Sequence, residues 1–134
     1  MKLQEIMTTR LEFIDADTSL YDAIEKMVDR RIRSLVVRFS GKGTEYGVIT
    51  ARDIVFKVLT KKINLRDIRV SEIASKPIVC IEKNVSLCDA ARLMEETNIA
   101  RIFVAEAETI IGVVSLVDLM EAALLMRARG EDAS

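Results

Sequence analysis

Two hydroxyl–carboxylate pairs are the side chains best suited to hold a small molecule: Thr50-x-x-Asp53 and Ser115-x-x-Asp118. Each ends a stretch of one pattern. The first runs Gly47-Val48-Ile49-Thr50-Ala51-Arg52-Asp53-Ile54, the second Gly112-Val113-Val114-Ser115-Leu116-Val117-Asp118-Leu119. The apolar run reads as a buried strand, and the aspartate opens an amphipathic helix. A strand that passes straight into a helix presents free N–H groups and the positive end of the helix dipole, a setting for an anion or a sugar. An ionised carboxylate only accepts hydrogen bonds, so it suits a vicinal diol, which has two to donate. Spacing alone reads the same pairs as helix caps, worth ~1 kcal/mol each. Ser19/Asp22 and Ser86/Asp89 share that spacing and read as caps only. What sets the first two pairs apart is the strand in front of them.

The elements that must position these pairs form one unit written twice. Ser19-Leu20-Tyr21-Asp22-Ala23-Ile24-Glu25-Lys26-Met27 aligns with Ser86-Leu87-Cys88-Asp89-Ala90-Ala91-Arg92-Leu93-Met94 at an offset of 67, which drops to 65 at the glycine motif. The difference falls in the turn Ser40-Gly41-Lys42-Gly43-Thr44, a predicted hairpin connection. Each unit reads as a lead-in turn (4–7 and 71–74), a short strand (11–14 and 78–81) and a helix with an aspartate form of the capping box. An apolar strand (35–39 and 102–105), the motif strand and a second helix follow. The first helices place Leu20, Ala23, Ile24 and Met27, or Leu87, Ala90, Ala91 and Met94, on one face. The second helices do the same with Ile54, Val55, Val58 and Leu59, or Leu119, Met120, Ala123 and Leu124, and Gly130 stops the last. The order is β-α-β-β-α twice, with repeats at 1–66 and 67–134 and a charged surface connection at 61–69.

Composition removes several classes of chemistry. The chain has 134 residues, the length of one ordinary domain, and is half hydrophobic with a net charge of −1. It contains no histidine, so histidine triads, histidine bases and histidine–zinc sites are excluded. Cys80 and Cys88 lack metal-ligand spacing and read as buried, inert thiols, matching Phe13 and Tyr21 of the first copy. No apolar run reaches membrane-spanning length and the N-terminus has no signal-peptide pattern, so the expectation is a soluble cytoplasmic protein. The halves differ in charge: 1–67 carries 13 basic and 10 acidic side chains, 68–134 carries 7 and 11. Head-to-tail pairing of two chains would set positive against negative.

A tandem β-α-β-β-α unit with Gly-apolar-apolar-(Thr/Ser)-x-x-Asp-(Ile/Leu) resembles the cystathionine β-synthase (CBS) domain family. Val-Ser-Leu-x-Asp-Ala at 85–90 and Lys-Pro-Ile-Val at 76–79 add to the match. The resemblance covers nearly the whole chain as one CBS pair, or Bateman module. It implies an α/β (α+β) fold of two repeats related by a pseudo-two-fold, with adenosine-type ligands in the cleft between them. Carried onto this sequence, one site takes Thr50 and Asp53, with Ile78, Val79 and Ile99 as the adenine wall. The other takes Ser115 and Asp118, with Leu11, Glu12 and Ile32. Arg101 matches a phosphate-contacting position and Arg52 sits beside Asp53. Ser34 stands opposite Arg101 in the alignment, Val117 opposite Arg52, Arg10 opposite Pro77, and Glu12 replaces an apolar residue, so the two sites are expected to be unequal.

The functional expectation is a non-enzymatic regulatory module that needs no cofactor and binds AMP, ADP, ATP or S-adenosylmethionine as its regulatory ligand. A separate protein partner would sense the bound state. Phe56, Leu116 and Leu125 fall off the helix stripes and are expected to join two chains as a homodimer. Two alternatives remain. In a purely structural dimerisation module the motif aspartates would only cap. In a nucleic-acid binder the cluster Arg30, Arg31, Arg33 and Arg38 would carry the contacts, although no aromatic side chains interleave it.

Overall fold

The apolar positions of the two copies segregate into two separate cores, each built on its own three-stranded sheet. A computed structural model of the chain describes residues 1–40, 45–76 and 78–130. They divide into two bodies: Glu12–Ile78, and Met1–Leu11 together with Val79–Ser134.

In the body Glu12–Ile78, β1 (Phe13–Asp15) leads to α1 (Leu20–Arg30), β2 (Ser34–Phe39), β3 (Glu45–Thr50), α2 (Ala51–Lys57) and, after a 3-10 turn at Leu59–Lys61, α3 (Val70–Ile73). β2 is central, parallel to β1 and antiparallel to β3, with Val37 opposite Gly47 and Ser34 opposite Thr50. Its core gathers Ile14, Leu20, Ala23, Met27, Leu35, Val37, Ile49, Ile54 and Val58, with Ile68 and Val70 from the connection. The second body repeats the plan with β4 (Cys80–Glu82), α4 (Leu87–Thr97), β5 (Arg101–Glu106), β6 (Thr109–Ser115) and α5 (Leu116–Arg129). Its core holds Leu87, Ala90, Met94, Ile102, Val104, Val114, Ala122 and Met126. It also holds Leu3, from a 3-10 turn at Leu3–Glu5.

The bodies are not the sequence repeats at 1–66 and 67–134, because each lead-in docks on the other copy's motif strand. Thr8 and Val113 exchange two backbone hydrogen bonds of 2.9 and 3.0 Å, and Ser75 and Val48 exchange two of 2.9 Å. The motif glycines make this approach possible. A Cβ at Gly47 would lie 2.6 Å from the Ser75 carbonyl oxygen, and one at Gly112 2.6 Å from Met7 Sδ. Residues 1–11 and 68–78, which contain the lead-ins, each carry two basic residues and one acidic residue, so the exchange leaves net charges of +3 on Glu12–Ile78 and −4 on the other body.

Several expectations are corrected. The first strands begin at Phe13 and Cys80 rather than at 11 and 78, although the Glu12 and Val79 carbonyls already accept from Val36 and Phe103 N–H groups at 2.9 and 3.0 Å. Ser19 and Ser86 do cap, accepting from the Asp22 and Asp89 N–H groups at 3.2 and 3.1 Å. The full reciprocal box is absent from both helices; the Asp89 carboxylate pairs with Arg92 instead. Cys80 and Cys88 are exposed, since both sit on outward positions of β4 and α4. Partial burial of its sulfur, and secondarily the nearby Glu82 charge, still push the Cys80 thiol above its ordinary pKa. The connection 61–69 is not merely superficial: the Leu65 and Ile68 carbonyls accept from Tyr21 and Leu20 N–H groups, and Ile68 is buried. The turn through Gly41, Lys42, Gly43 and Thr44, and Pro77, lie outside the described residues. No helix of the described residues is long and apolar enough to cross a membrane.

Candidate functional site

Both hydroxyl–carboxylate pairs stand where a motif strand, β3 or β6, passes into a helix without an intervening loop. Thr50 is extended (φ −118°, ψ 156°), and its Oγ1 accepts from the Asp53 N–H at 3.1 Å. The Ala51 N–H donates to the Arg33 carbonyl at 2.9 Å, tying the start of α2 to the start of β2. Ser115 is likewise extended, and its Oγ accepts from the Asp118 N–H at 3.2 Å. There the Leu116 N–H donates to the Ala100 carbonyl at 3.1 Å, and Arg101 is the cross-strand neighbour of Ser115. In each junction two of the first three helix amides are therefore used within the fold, which fixes the direction of the rest.

The carboxylates themselves differ. Asp118 Oδ2 accepts from the Ser115 N–H at 2.8 Å, completing a reciprocal capping box. Asp53 makes no such return; its Oδ1 lies 3.6 Å from Lys57 Nζ, one turn along α2. The aligned position in α5 is Ala122, which is buried and has no charge to offer. The Asp53 side chain retains 23% of its exposure, and Asp118 is also half-buried. Neither residue is fully exposed, and the ion pair that Asp53 makes with Lys57 is partly exposed, a weak restraint.

Among the other expected site residues, Glu12 is committed within its own body. Its carboxylate lies 2.7 Å from Arg30 Nη1 and 3.8 Å from Lys26 Nζ. Ile32 packs against the core of Glu12–Ile78, and Val79 and Ile99 pack against the other core. Leu11 and Ile78 are half-buried at the edges of their bodies in sequence. Arg52 turns along its helix, with its guanidinium 5.0 Å from the centre of the Phe56 ring. The basic cluster is partly spent: Arg30 binds Glu12, and Arg38 lies 4.3 Å over the Phe13 ring.

The sequence reading missed Lys57, although its i+4 spacing from Asp53 was visible, and missed Lys26 and Arg30 as partners of Glu12. An open groove of about 680 Å³ also escaped it, lined by Asp15, Asp17, Ser19 and Asp22 with Arg38 and Arg69. Arg69 donates to the Asp17 carbonyl at 3.1 Å and Arg38 stacks on Phe13, so both cations there are engaged. Among the described residues no three His, Cys, Asp or Glu side chains gather to hold a metal ion.

Comparison with known proteins gives a consistent result. The CBS-domain profile matches residues 3–60 and 70–125. The uncharacterized protein YlbB of Bacillus subtilis is 29% identical over 119 residues, covering 88% of this chain and 79% of its own. An uncharacterized protein of Methanocaldococcus jannaschii is 28% identical over 111 residues, 82% of this chain but only 60% of the relative. Among solved structures, a hexameric CBS-CP12 protein from bloom-forming cyanobacteria superposes with a TM-score of 0.81 at 30% identity, covering 95% of this chain and 74% of that one. An uncharacterized conserved protein of Pyrococcus horikoshii superposes with a TM-score of 0.76 at 29% identity, covering 91% of both.

Proposed function

The chain belongs to the CBS-domain family as a tandem pair, and from that premise we propose that it is a non-enzymatic regulatory module binding an adenosine compound. AMP, ADP, ATP and S-adenosylmethionine are the candidates, met in the cytoplasm, where these metabolites are made. The observation that carries this reading is the doubled junction, in which Thr50/Asp53 and Ser115/Asp118 each hold a half-buried carboxylate at a helix mouth. The carboxylate accepts from the ribose hydroxyls, and the Thr or Ser lies by the ribose–phosphate. Ile78, Val79 and Ile99 are assigned to the adenine of one ligand, and Leu11 and Ile32 to that of the other. Glu12 contributes backbone only, its carboxylate being held by Arg30 and Lys26. Arg101, beside Ser115, is assigned to phosphate. Arg52, stacked on Phe56, is left to the outer face of α2.

The two junctions are not equivalent in this reading. A diol that engages Asp118 competes with the Ser115 N–H, whereas one that engages Asp53 displaces only Lys57. Asp53 therefore holds the tighter ligand. A thermal-shift series with the four compounds, on protein freed of bound nucleotide, tests this. A ligand at 100 times its Kd adds about 2.7 kcal/mol. The shift should be lost in Asp53→Asn and largely kept in Asp118→Asn. No shift with any of the four would leave the alternative, a structural pairing module, which the two hydroxyl caps also fit. The outward positions of Phe56, Leu116 and Leu125 support self-association as a homodimer, and a further protein partner would sense the bound state.

A further inference from the structure

We infer that Met7 is an oxidant-sensing site: a hydroperoxide that reaches its thioether releases the lead-in Met1–Leu11 from β6. Met7 packs against the core of the body that contains Val79–Ser134, yet it is only half-buried, so a small solute can reach it. Its side chain fills the notch left by Gly112, where an added Cβ would fall 2.6 Å from Met7 Sδ and 2.9 Å from Cγ. The next residue, Thr8, makes the paired hydrogen bonds to Val113 that hold the lead-in to β6, an edge strand of its sheet. The sulfur and the clasp are therefore neighbours on both segments. Met27, Met94 and Met126 are buried, whereas Met120 is 63% exposed on α5, outside the core. Met1, half-buried on the same core, is a competing site that variants at Met7 separate. The clasp of the other body is built without sulfur: Ala74 takes the matched place before Ser75, which pairs with Val48. An oxidant therefore loosens one lead-in and spares the other.

A hydroperoxide is the only co-reactant the step needs. The sulfur lone pair attacks the terminal peroxide oxygen, an S–O bond forms as the O–O bond breaks, and the proton on that oxygen passes to the departing one. Met7 loses two electrons and becomes the sulfoxide, while the peroxide is reduced to an alcohol, or to water when it is hydrogen peroxide. The product is polar and larger by one oxygen. Kept in the Gly112 notch, that oxygen would face an apolar core without a hydrogen-bond donor, at a cost the thioether does not carry. Met7 leaves the notch, and β6, which runs on to Ser115, loses its Thr8 partner. The device needs no bound nucleotide.

The test applies hydrogen peroxide to the folded full chain, to Met7→Leu and to Met120→Leu, with peptide mass spectrometry for oxygen uptake and hydrogen exchange for the clasp. Met7 should gain one oxygen while the chain stays folded. Exchange at the Thr8 and Val113 amides should then quicken by about tenfold, with Val48 and Ser75 unchanged. Met7→Leu should abolish this response, Met120→Leu should keep it, and methionine sulfoxide reductases with a dithiol should reverse it. Met7→Ala, which installs the residue of the other lead-in, replaces Met7→Leu if that variant fails to fold. A Met7 that takes no oxygen until the chain unfolds, or a Met7 sulfoxide that leaves Thr8 and Val113 protected, would overturn the proposal. So would an equal response in the Met7 variants, which would assign it to Met1 or Met120.

Discussion

Asp53 and Asp118 hold the same place in two copies of one motif, yet their carboxylates do different work. Asp118 closes a box on its own N-cap, whereas Asp53 is drawn along the helix toward Lys57. The difference should be visible in stability without any ligand. Asp118→Ala removes a partly buried acceptor of a backbone N–H and should cost about 1 kcal/mol. Asp53→Ala removes a partly exposed ion pair and a favourable dipole contact, about 0.5 kcal/mol. Urea unfolding of the two variants measures both, and equal losses would contradict the asymmetry. This much could have been read from the sequence. Lys57 stands where the second copy has Ala122, and a lysine four residues after an aspartate competes for it. Glu12 was harder, because its partners Lys26 and Arg30 approach from a helix whose placement only the fold defines.

At the scale of elements, the caps and helix order were legible because they follow from residue types at fixed spacing. Ser19, Thr50, Ser86 and Ser115 all cap as expected, and Gly130 ends α5 in the left-handed region (φ 72°). The second helices were misjudged for a physical reason. α2 and α5 each have two apolar stripes, and periodicity shows that a stripe exists without showing which one faces the core. Val55, Leu59, Met120 and Leu124, expected inside, are therefore exposed. The hairpins also differ. Five residues separate Phe39 from Glu45, but only Ala107 and Glu108 join β5 to β6, and the register shifts between Val104 and Ala105. Ala107 (φ 50°) and Glu108 (φ 63°) both occupy the left-handed region, which suits Asn-Gly and disfavours this pair. The variant Ala107→Asn with Glu108→Gly should be more stable by about 1 kcal/mol, raising the melting temperature by about 4 °C. A calorimetric scan showing no gain would mean that the turn is not strained.

For the molecule as a whole, the sequence repeat and the folded body are different units. A repeat search assigns each lead-in to the copy that follows it, and no local pattern contradicts that. The available signal was Gly47 and Gly112, mid-strand glycines that mark close backbone approach without naming the segment that approaches. The exchange makes residues at the start of the chain structural parts of a body that otherwise begins at Val79. Leu3 carries most of this. It is fully buried among Leu87, Ala90, Val114 and their neighbours, and its turn leads to Thr8, which pairs with Val113 on β6. Leu3→Ala leaves a cavity in that core and should cost about 2–5 kcal/mol. The loss should be local in a way the sequence repeats do not suggest. Hydrogen exchange should quicken at Val113 and the other β5 and β6 amides, far along the chain from the change. The β2 and β3 amides, in the repeat that contains Leu3, should keep their protection until global unfolding. Faster exchange confined to β2 and β3 would assign the lead-in to its own repeat and refute the exchange.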